Sequence, residues 1–519
     1  MTRRLRVLAL FATVFVSLSL FAQNTPGKLR FHVTLDPALG NKPVSGRLLV
    51  FITDNPKPLD RISPGEGTGA EKVWIAAKEV HDLAPGATVN LNPDEIAFPA
   101  PLSQAPNGDY QAMALLDVDH NAAYRTFTAG DLRSAVVPEK GLNPAESQPV
   151  ELTLTQRLTE QPPLLIPKGS ELLDFISPSL SKFWGRPIHM RGIVVLPPGY
   201  ENSKEHYPTV YLTHGFGATL SILSVAYAPE IGRKMAEGAI PPMIYVVLDE
   251  SCPGGTHEFA DSVNNGPWGL ALTTELIPHL EKKYRMDAKP SGRLLTGHSS
   301  GGWATMWMQA TYPDVFGGTW STSPDPVDFR DFTNVDLTKN TNLYKKPDGT
   351  LVPLVRMNGG AAESLKDYAQ QEAVLGSYGG QFASFEWVFS PRGPDGRPIP
   401  MFDRKTGEID RAIADDWEQH FDISRILRTN AKELVPELKG KIHIIVGTAD
   451  TFYLDGAVRL LQKEIEPLGY DGHFTYLDGR THFDLYKGGL EEKIAKEMYD
   501  VARPGNTWKS KVPIGDQQF

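Results

Sequence analysis

From about residue 28 to residue 154, apolar and polar positions alternate along the chain. Leu29, Phe31, Val33 and Leu35 interleave with Arg30, His32 and Thr34, a period of two that predicts a strand with one face buried. The rhythm returns at 47–53, 72–76, 110–117 and 150–154, with Pro, Gly and Asn between the segments. Helical periodicity is nearly absent here. Short strands divided by turn residues predict a small all-β domain, sandwich-like and of immunoglobulin type, over about 23–160. After about residue 170 the pattern changes. The apolar runs in "MRGIVVLPPGY", "YPTVYLTHGFG", "PPMIYVVLDES", "GRLLTGHSS", "KIHIIVGTAD" and "HFTYLD" alternate with helical patterns at 273–284, 303–312, 457–468 and 490–501. Continuous apolar strands covered by helices imply an α/β domain with a mainly parallel sheet, over about 166–505. "TEQPPLLIPKG" puts the boundary near Pro162 and Pro163. The stretch 329–433, with "SPRGPDGRPIP", breaks the alternation and reads as an insertion able to form a cap.

The first residues follow neither rhythm. Arg3, Arg4 and Arg6 precede an apolar run from Val7 to Phe21, and Ala22 offers a small residue for cleavage. That layout predicts a signal peptide over 1–22 and a periplasmic or extracellular destination. The run is short for a membrane span, so no membrane association is expected after cleavage. One cysteine, Cys252, permits no internal disulfide and reads as a small hydrophobe. The formal net charge of −10 argues against a nucleic-acid surface. "DVDHNA" (117–122) begins like a calcium loop but lacks the glycine and the later glutamate, so a turn accounts for it better.

Chemistry concentrates at Gly297-His298-Ser299-Ser300-Gly301, where an apolar strand pattern meets a helical one. This is the context of a G-x-S-x-G elbow, which lifts a serine hydroxyl above a sheet edge in strained backbone geometry. A serine nucleophile needs a base. Of the four later histidines, His420 lies in the insertion, His443 inside a strand and His473 at a strand start. His482, in "DGRTHFDLY", sits in a loop beyond a strand and is the candidate base. Asp450, just past "IHIIVGT", is the favoured acid; Asp455 competes with it, and either would also serve as a helix cap. The N–H of Ser300 and that of Phe216, in the turn "LTHGFG", are the candidate oxyanion donors. His214, Asn265 and Trp268 are candidate substrate contacts. "TSPDPVDFRDF" after Trp320 is a candidate pocket wall, and Trp387 and Trp417 suit either a ring-binding cap or its packing.

"RGIVVLPPGY", "YPTVYLTHGFG", "ELIPHLEKKYRM", "GHSSGGWATMWMQATYPDVFGG" and "GRTHFDLY" together resemble the esterase family of α/β-hydrolases that includes esterase D, enterochelin-type siderophore esterases, feruloyl and acetylxylan esterases, and mycolyltransferases. The resemblance covers about 184–499. It implies an α/β-hydrolase fold with Ser299 as nucleophile, Asp450 as acid, His482 as base, and Phe216 and Ser300 at the oxyanion. The front domain and the insertion fall outside the compact family core, and the histidine loop continues Phe-Asp-Leu-Tyr without the tryptophan of some members. The natural ester is therefore left open. The expectation is a secreted serine carboxylesterase acting on a small or polysaccharide-linked ester, with carbohydrate contact by the front domain as a further expectation. No cofactor is implied and no metal: H-E-x-x-H and G-x-x-x-x-G-K-[ST] are absent. An acyltransferase would use the same residues. A catalytically silent hydrolase-fold binding protein is the alternative from another class.

Overall fold

The computed structural model describes residues 29–64, 73–159 and 164–512. The expected signal peptide and the boundary at Pro162–Pro163 lie outside these residues.

Nine strands between Phe31 and Arg157 join into one hydrogen-bonded sheet. Successive side chains of a strand point to opposite faces, and here both faces are covered. Leu48, Val50 and Ile52 pack with Phe31, Val33, Ala112 and Ala114 on one side. Leu49 and Phe51 pack with Ile75, Met113 and Leu115 on the other, where Val374 and Leu375 of the Leu365–Leu375 helix close over them. The expected sandwich of two facing sheets is thus, by hydrogen bonding, one continuous sheet. Its second face is covered partly by its own loops, through Ile62 and Ala122, and partly by the insertion. Arg47, itself buried, fixes that contact by donating from Nε to Val374 O at 2.9 Å and from Nη2 to Ala373 O at 3.0 Å. A cation at these last-turn carbonyls also complements the negative end of the helix.

The second sheet has eight strands. In chain order they are Ser170–Ile176, His189–Val195, Thr209–Thr213, Ile244–Leu248, Arg293–His298, Gly318–Thr322, Ile442–Gly447 and His473–Leu477. The third and fourth exchange places across the sheet, the first two pairings are antiparallel and the rest are parallel. This is the sheet of an α/β-hydrolase. Ile244, Val246 and Leu248 enter one core and Tyr245 and Val247 the opposite one, so the continuous apolar run follows from helices on both faces. The Ser170–Ile176 strand escapes the sequence pattern because it is an exposed edge with only Leu173 buried. The Ser300–Thr311 helix is buried on every side through Ala310, which matches its all-round apolar sequence.

The insertion forms a cap of one hairpin, Pro353–Met357 with Gly360–Ser364, and three helices, Leu365–Leu375, Gln381–Phe389 and Arg411–Phe421, while the helices Ile423–Thr429 and Ala431–Leu438 that follow pack on the Ser300–Thr311 helix. Trp417 is fully buried in the cap, its indole N–H donating to Ser390 Oγ at 2.8 Å, and Trp387 packs against Gly254 and Tyr378. Both tryptophans build the cap. No helix among the described residues is long and apolar enough to cross a membrane.

Candidate active site

Ser299 sits between the Arg293–His298 strand and the Ser300–Thr311 helix at φ 61° and ψ −125°, a backbone state that costs a non-glycine residue energy. Its neighbours over-determine it. Ser299 N–H donates to Thr322 O at 3.1 Å, and Ser299 O accepts from Trp303 N at 3.0 Å and Asp325 N at 3.1 Å. The flanking glycines are required by close approach. A Cβ at Gly297 would lie 2.3 Å from Gly301 O, and one at Gly301 would lie 2.6 Å from His214 O.

His482 occupies the loop after the His473–Leu477 strand, buried beside Asp450. Its Nδ1 donates to Asp450 Oδ2 at 2.9 Å. The other Asp450 oxygen accepts main-chain N–H groups from Phe452 at 3.0 Å and Leu454 at 3.4 Å. Burial alone would raise the Asp450 pKa, but the His482 bond and its charge, with the backbone donors, bring it below the ordinary value. Asp455 points elsewhere, to Arg356 Nη2 at 2.9 Å. Arg356 in turn holds the main chain of this turn, donating to Asp450 O at 2.6 Å and Thr448 O at 3.1 Å. Of the two candidate acids, the structure brings Asp450 to the histidine. His298, whose ring packs 4.3 Å from that of His482, is pushed down to about 3, chiefly by burial. It stays neutral and would not repel a charged His482.

The Ser299 hydroxyl lies 3.4 Å from Asp325 Oδ1, to which it donates, while Ser300 Oγ donates to Asp325 Oδ2 at 2.6 Å. Burial lifts the Asp325 carboxyl to about 6 against these hydrogen bonds. The expected pocket wall after Trp320 therefore carries a second acid at the nucleophile, which sequence reasoning did not single out. Its signal was position: three residues past the Gly318–Thr322 strand, at the same end of the sheet as Ser299.

The turn carrying Phe216 passes beside the nucleophile. A Cβ at Gly215 would stand 3.1 Å from Ser299 Cβ and 3.8 Å from Ser299 Oγ. Ala218 N–H closes the turn on Gly215 O at 3.3 Å, with Gly217 at φ 85°. Ser300 opens its helix, so its N–H has no intrahelical acceptor. Both expected oxyanion donors thus flank Ser299.

The three expected substrate contacts need correction. His214 is fully buried beneath the turn, receiving Glu250 N–H at Nε2 (3.0 Å) and donating from Nδ1 to Gly215 O (2.8 Å). Trp268 stacks on His257 at 3.5 Å and donates its indole N–H to Asn265 O at 3.0 Å. All three are buried and lie outside the cavity lining. Cys252 is part-buried, its thiol pushed up to about 12 by burial, which leaves it a poor nucleophile.

The cavity above Ser299 and His482 measures about 730 Å³. Phe332, Phe382 and Phe385 of the cap, Phe452 and Phe483 of the histidine side, and Tyr124 of the front domain line it. Among the described residues that line it none is Lys or Arg, while Asp325, Glu363 and Glu372 contribute carboxyl groups. Burial raises Glu363 and Glu372 to about 7. Elsewhere, Asp117, Asp119 and Asp131 bring oxygens within 4.8 Å of one another. Asp117 and Asp131 accept main-chain N–H groups from 118, 121, 122 and 128 and hold the loop in place.

The chain is similar in sequence to known esterases. An esterase of Mycobacterium tuberculosis is 28% identical over 141 residues, covering 27% of this chain and 30% of that protein. An endo-1,4-beta-xylanase/feruloyl esterase of Xylanibacter ruminicola is 29% identical over 134 residues, 24% of this chain and 18% of that one. The chain thus spans less than a third of the length of either relative. Among solved structures, a ferulic acid esterase aligns over 64% of this chain and 98% of its own, at 17% identity and a TM-score of 0.40. An S-formylglutathione hydrolase from Agrobacterium tumefaciens aligns over 65% and 98%, at 15% identity and a TM-score of 0.36. The model of the family named "Putative esterase" matches residues 185–463, more than half of the 519. The chain belongs to that esterase family.

Proposed function

We propose that this protein is an exported serine carboxylesterase that hydrolyses neutral esters with an aromatic acyl group. The observation that carries the reading is a serine in a strained elbow sharing one cavity with a histidine that a buried aspartate holds at Nδ1. Rotation about the Ser299 Cα–Cβ bond exchanges Asp325 for His482 as the partner of its hydroxyl. Ser299 Oγ then attacks the ester carbonyl while His482 Nε2 takes its proton, and Asp450 stabilises the resulting imidazolium. The carbonyl oxygen, now negative, turns to the N–H groups of Phe216 and Ser300. His482 returns the proton to the departing alkoxide, leaving an acyl-enzyme. Water repeats the sequence from the other side and releases the acid.

The lining argues for the substrate class. A cavity of about 730 Å³ with aromatic walls holds a ring-bearing acyl group. Three carboxyl groups among the described lining residues, against no Lys or Arg there, disfavour an anionic ester, which sets hydroxycinnamoyl-type esters of neutral alcohols or sugars ahead of siderophore esters. Export to the periplasm or the medium rests on the leader pattern of residues 1–22.

The test is hydrolysis of p-nitrophenyl acetate, methyl ferulate and a catecholate siderophore ester by the mature chain, with Ser299→Ala alongside. A loss of about 10⁴-fold in the variant, and preference for the neutral aromatic ester, is the expected result. Turnover that survives Ser299→Ala, or no fluorophosphonate label on Ser299, refutes the reading.

A further inference from the structure

The loop after the Gly108–Asp117 strand of the front sheet reaches the catalytic domain at the oxyanion turn. Tyr124 OH donates to Ala218 O at 2.6 Å, and its ring stands edge-on to Phe216 at 5.0 Å and 88°. Those two contacts grip both sides of Gly217, the left-handed residue that shapes the turn. The loop itself is fixed. Asp117 Oδ2 accepts Ala122 N–H at 2.8 Å, and Tyr124 N–H closes on Asn121 O at 3.0 Å. From the cap, Gly379 packs so closely that a Cβ there would lie 3.0 Å from Tyr124 Cβ. Burial raises the phenol's pKa, so it remains a neutral donor.

Resting on the esterase reading above, we infer that Tyr124 is a positioning residue through which the front domain sets the Phe216 N–H, and that this domain is therefore part of the catalytic unit. An N–H on a turn between two glycines has little intrinsic reason to hold one direction. The oxyanion contact demands a donor 2.7–3.1 Å from an atom that exists only in the transition state. Beneath the turn His214 ties down Gly215, and above it Tyr124 ties down Ala218. The front domain thus serves the chemistry directly, a role different from the carbohydrate contact expected from the sequence.

The experiment uses the full mature chain with Tyr124→Phe and Tyr124→Ala. Phenylalanine keeps the ring against Phe216 and removes only the bond to Ala218 O. For Tyr124→Phe, kcat on p-nitrophenyl acetate falls about tenfold while KM stays within twofold. Affinity for an aryl trifluoromethyl ketone, which forms an oxyanion on Ser299, falls by the same factor, and the melting temperature stays within a few degrees. Tyr124→Ala loses about 100-fold if it folds; if it does not, the phenylalanine variant decides. Unchanged kcat and ketone affinity in Tyr124→Phe, or a change confined to KM, overturns the inference while leaving the esterase reading intact. A wild-type chain that neither hydrolyses esters nor takes a fluorophosphonate on Ser299 removes both.

Discussion

Replacing Asp450 by asparagine discriminates the triad acid by its hydrogen bonds. Oδ1 of Asp450 faces two main-chain donors, Phe452 N–H at 3.0 Å and Leu454 N–H at 3.4 Å. An amide NH₂ cannot occupy that position, so in Asp450→Asn the amide oxygen stays there and the NH₂ faces His482 Nδ1, 2.9 Å away in the native protein. Facing a donor, Nδ1 must accept, and the imidazole proton moves to Nε2. That nitrogen is the one that has to take the proton of Ser299. A correctly placed ring in the wrong tautomer costs a serine hydrolase about 10⁴-fold in kcat, or about 5.5 kcal/mol of barrier. Asp455→Asn alters the Arg356 contact at 2.9 Å and the Arg459 contact at 3.5 Å, with Arg356 still bonded to Asp450 O and Thr448 O, and loses no more than a few-fold. The assay is kcat and KM on p-nitrophenyl acetate at pH 7.5 for both variants, with melting curves to confirm folding. A folded Asp450→Asn within about tenfold of wild type, or an equal loss in Asp455→Asn, refutes the reasoning.

The Asp325 carboxyl, lifted from 3.8 to about 6 by burial, binds its proton more tightly in the folded than in the unfolded chain. Its contribution to stability is full below the unfolded pKa and is lost as pH rises through 6, about 3 kcal/mol in all and about 2 kcal/mol between pH 4.5 and 7.5. Asp325→Asn should remove that slope, which paired unfolding curves at the two pH values measure; a pH-independent difference from wild type would contradict it. Gly301→Ala puts a Cβ 2.6 Å from His214 O and 2.7 Å from Thr213 C. Because backbone cannot yield as a side chain does, the soluble protein is expected to fail fluorophosphonate labelling, and normal labelling would count against the packing argument. Trp268→Phe loses the indole bond to Asn265 O and part of the His257 stack. It should cost about 1–2 kcal/mol of stability and leave KM for methyl ferulate unchanged; a large rise in KM would restore Trp268 as a substrate contact.

Much of the site was legible because its constraints are local. An elbow needs small residues at fixed offsets around one serine, and Gly297, Ser299 and Gly301 show that spacing directly. The order of serine, acid and histidine at strand ends follows from sheet topology, so strand-end position points to Ser299 and His482 and favours Asp450 without excluding Asp455. The rhythms of two and of about 3.6 separated the front sheet from the α/β domain, since each reflects which side of an element meets a core.

Contacts between segments far apart in the chain left no such mark. Spacing favours Asp450 but leaves Asp455 in competition, and only the fold directs one to His482 and the other to Arg356. Trp268 reads as a ligand group until tertiary packing spends its indole on the Asn265 carbonyl and the His257 ring. The second buried face of the front sheet is completed by Val374 and Leu375, which lie far beyond its last strand in the chain. Tyr124 lies 94 residues from Ala218, the carbonyl it holds. Sequence by itself determined where the chain can turn, what it can bury and which serine it can strain. Tertiary structure decided which distant polar group satisfies which, because a buried donor or acceptor is settled by the nearest partner in space and not by its neighbours in the chain.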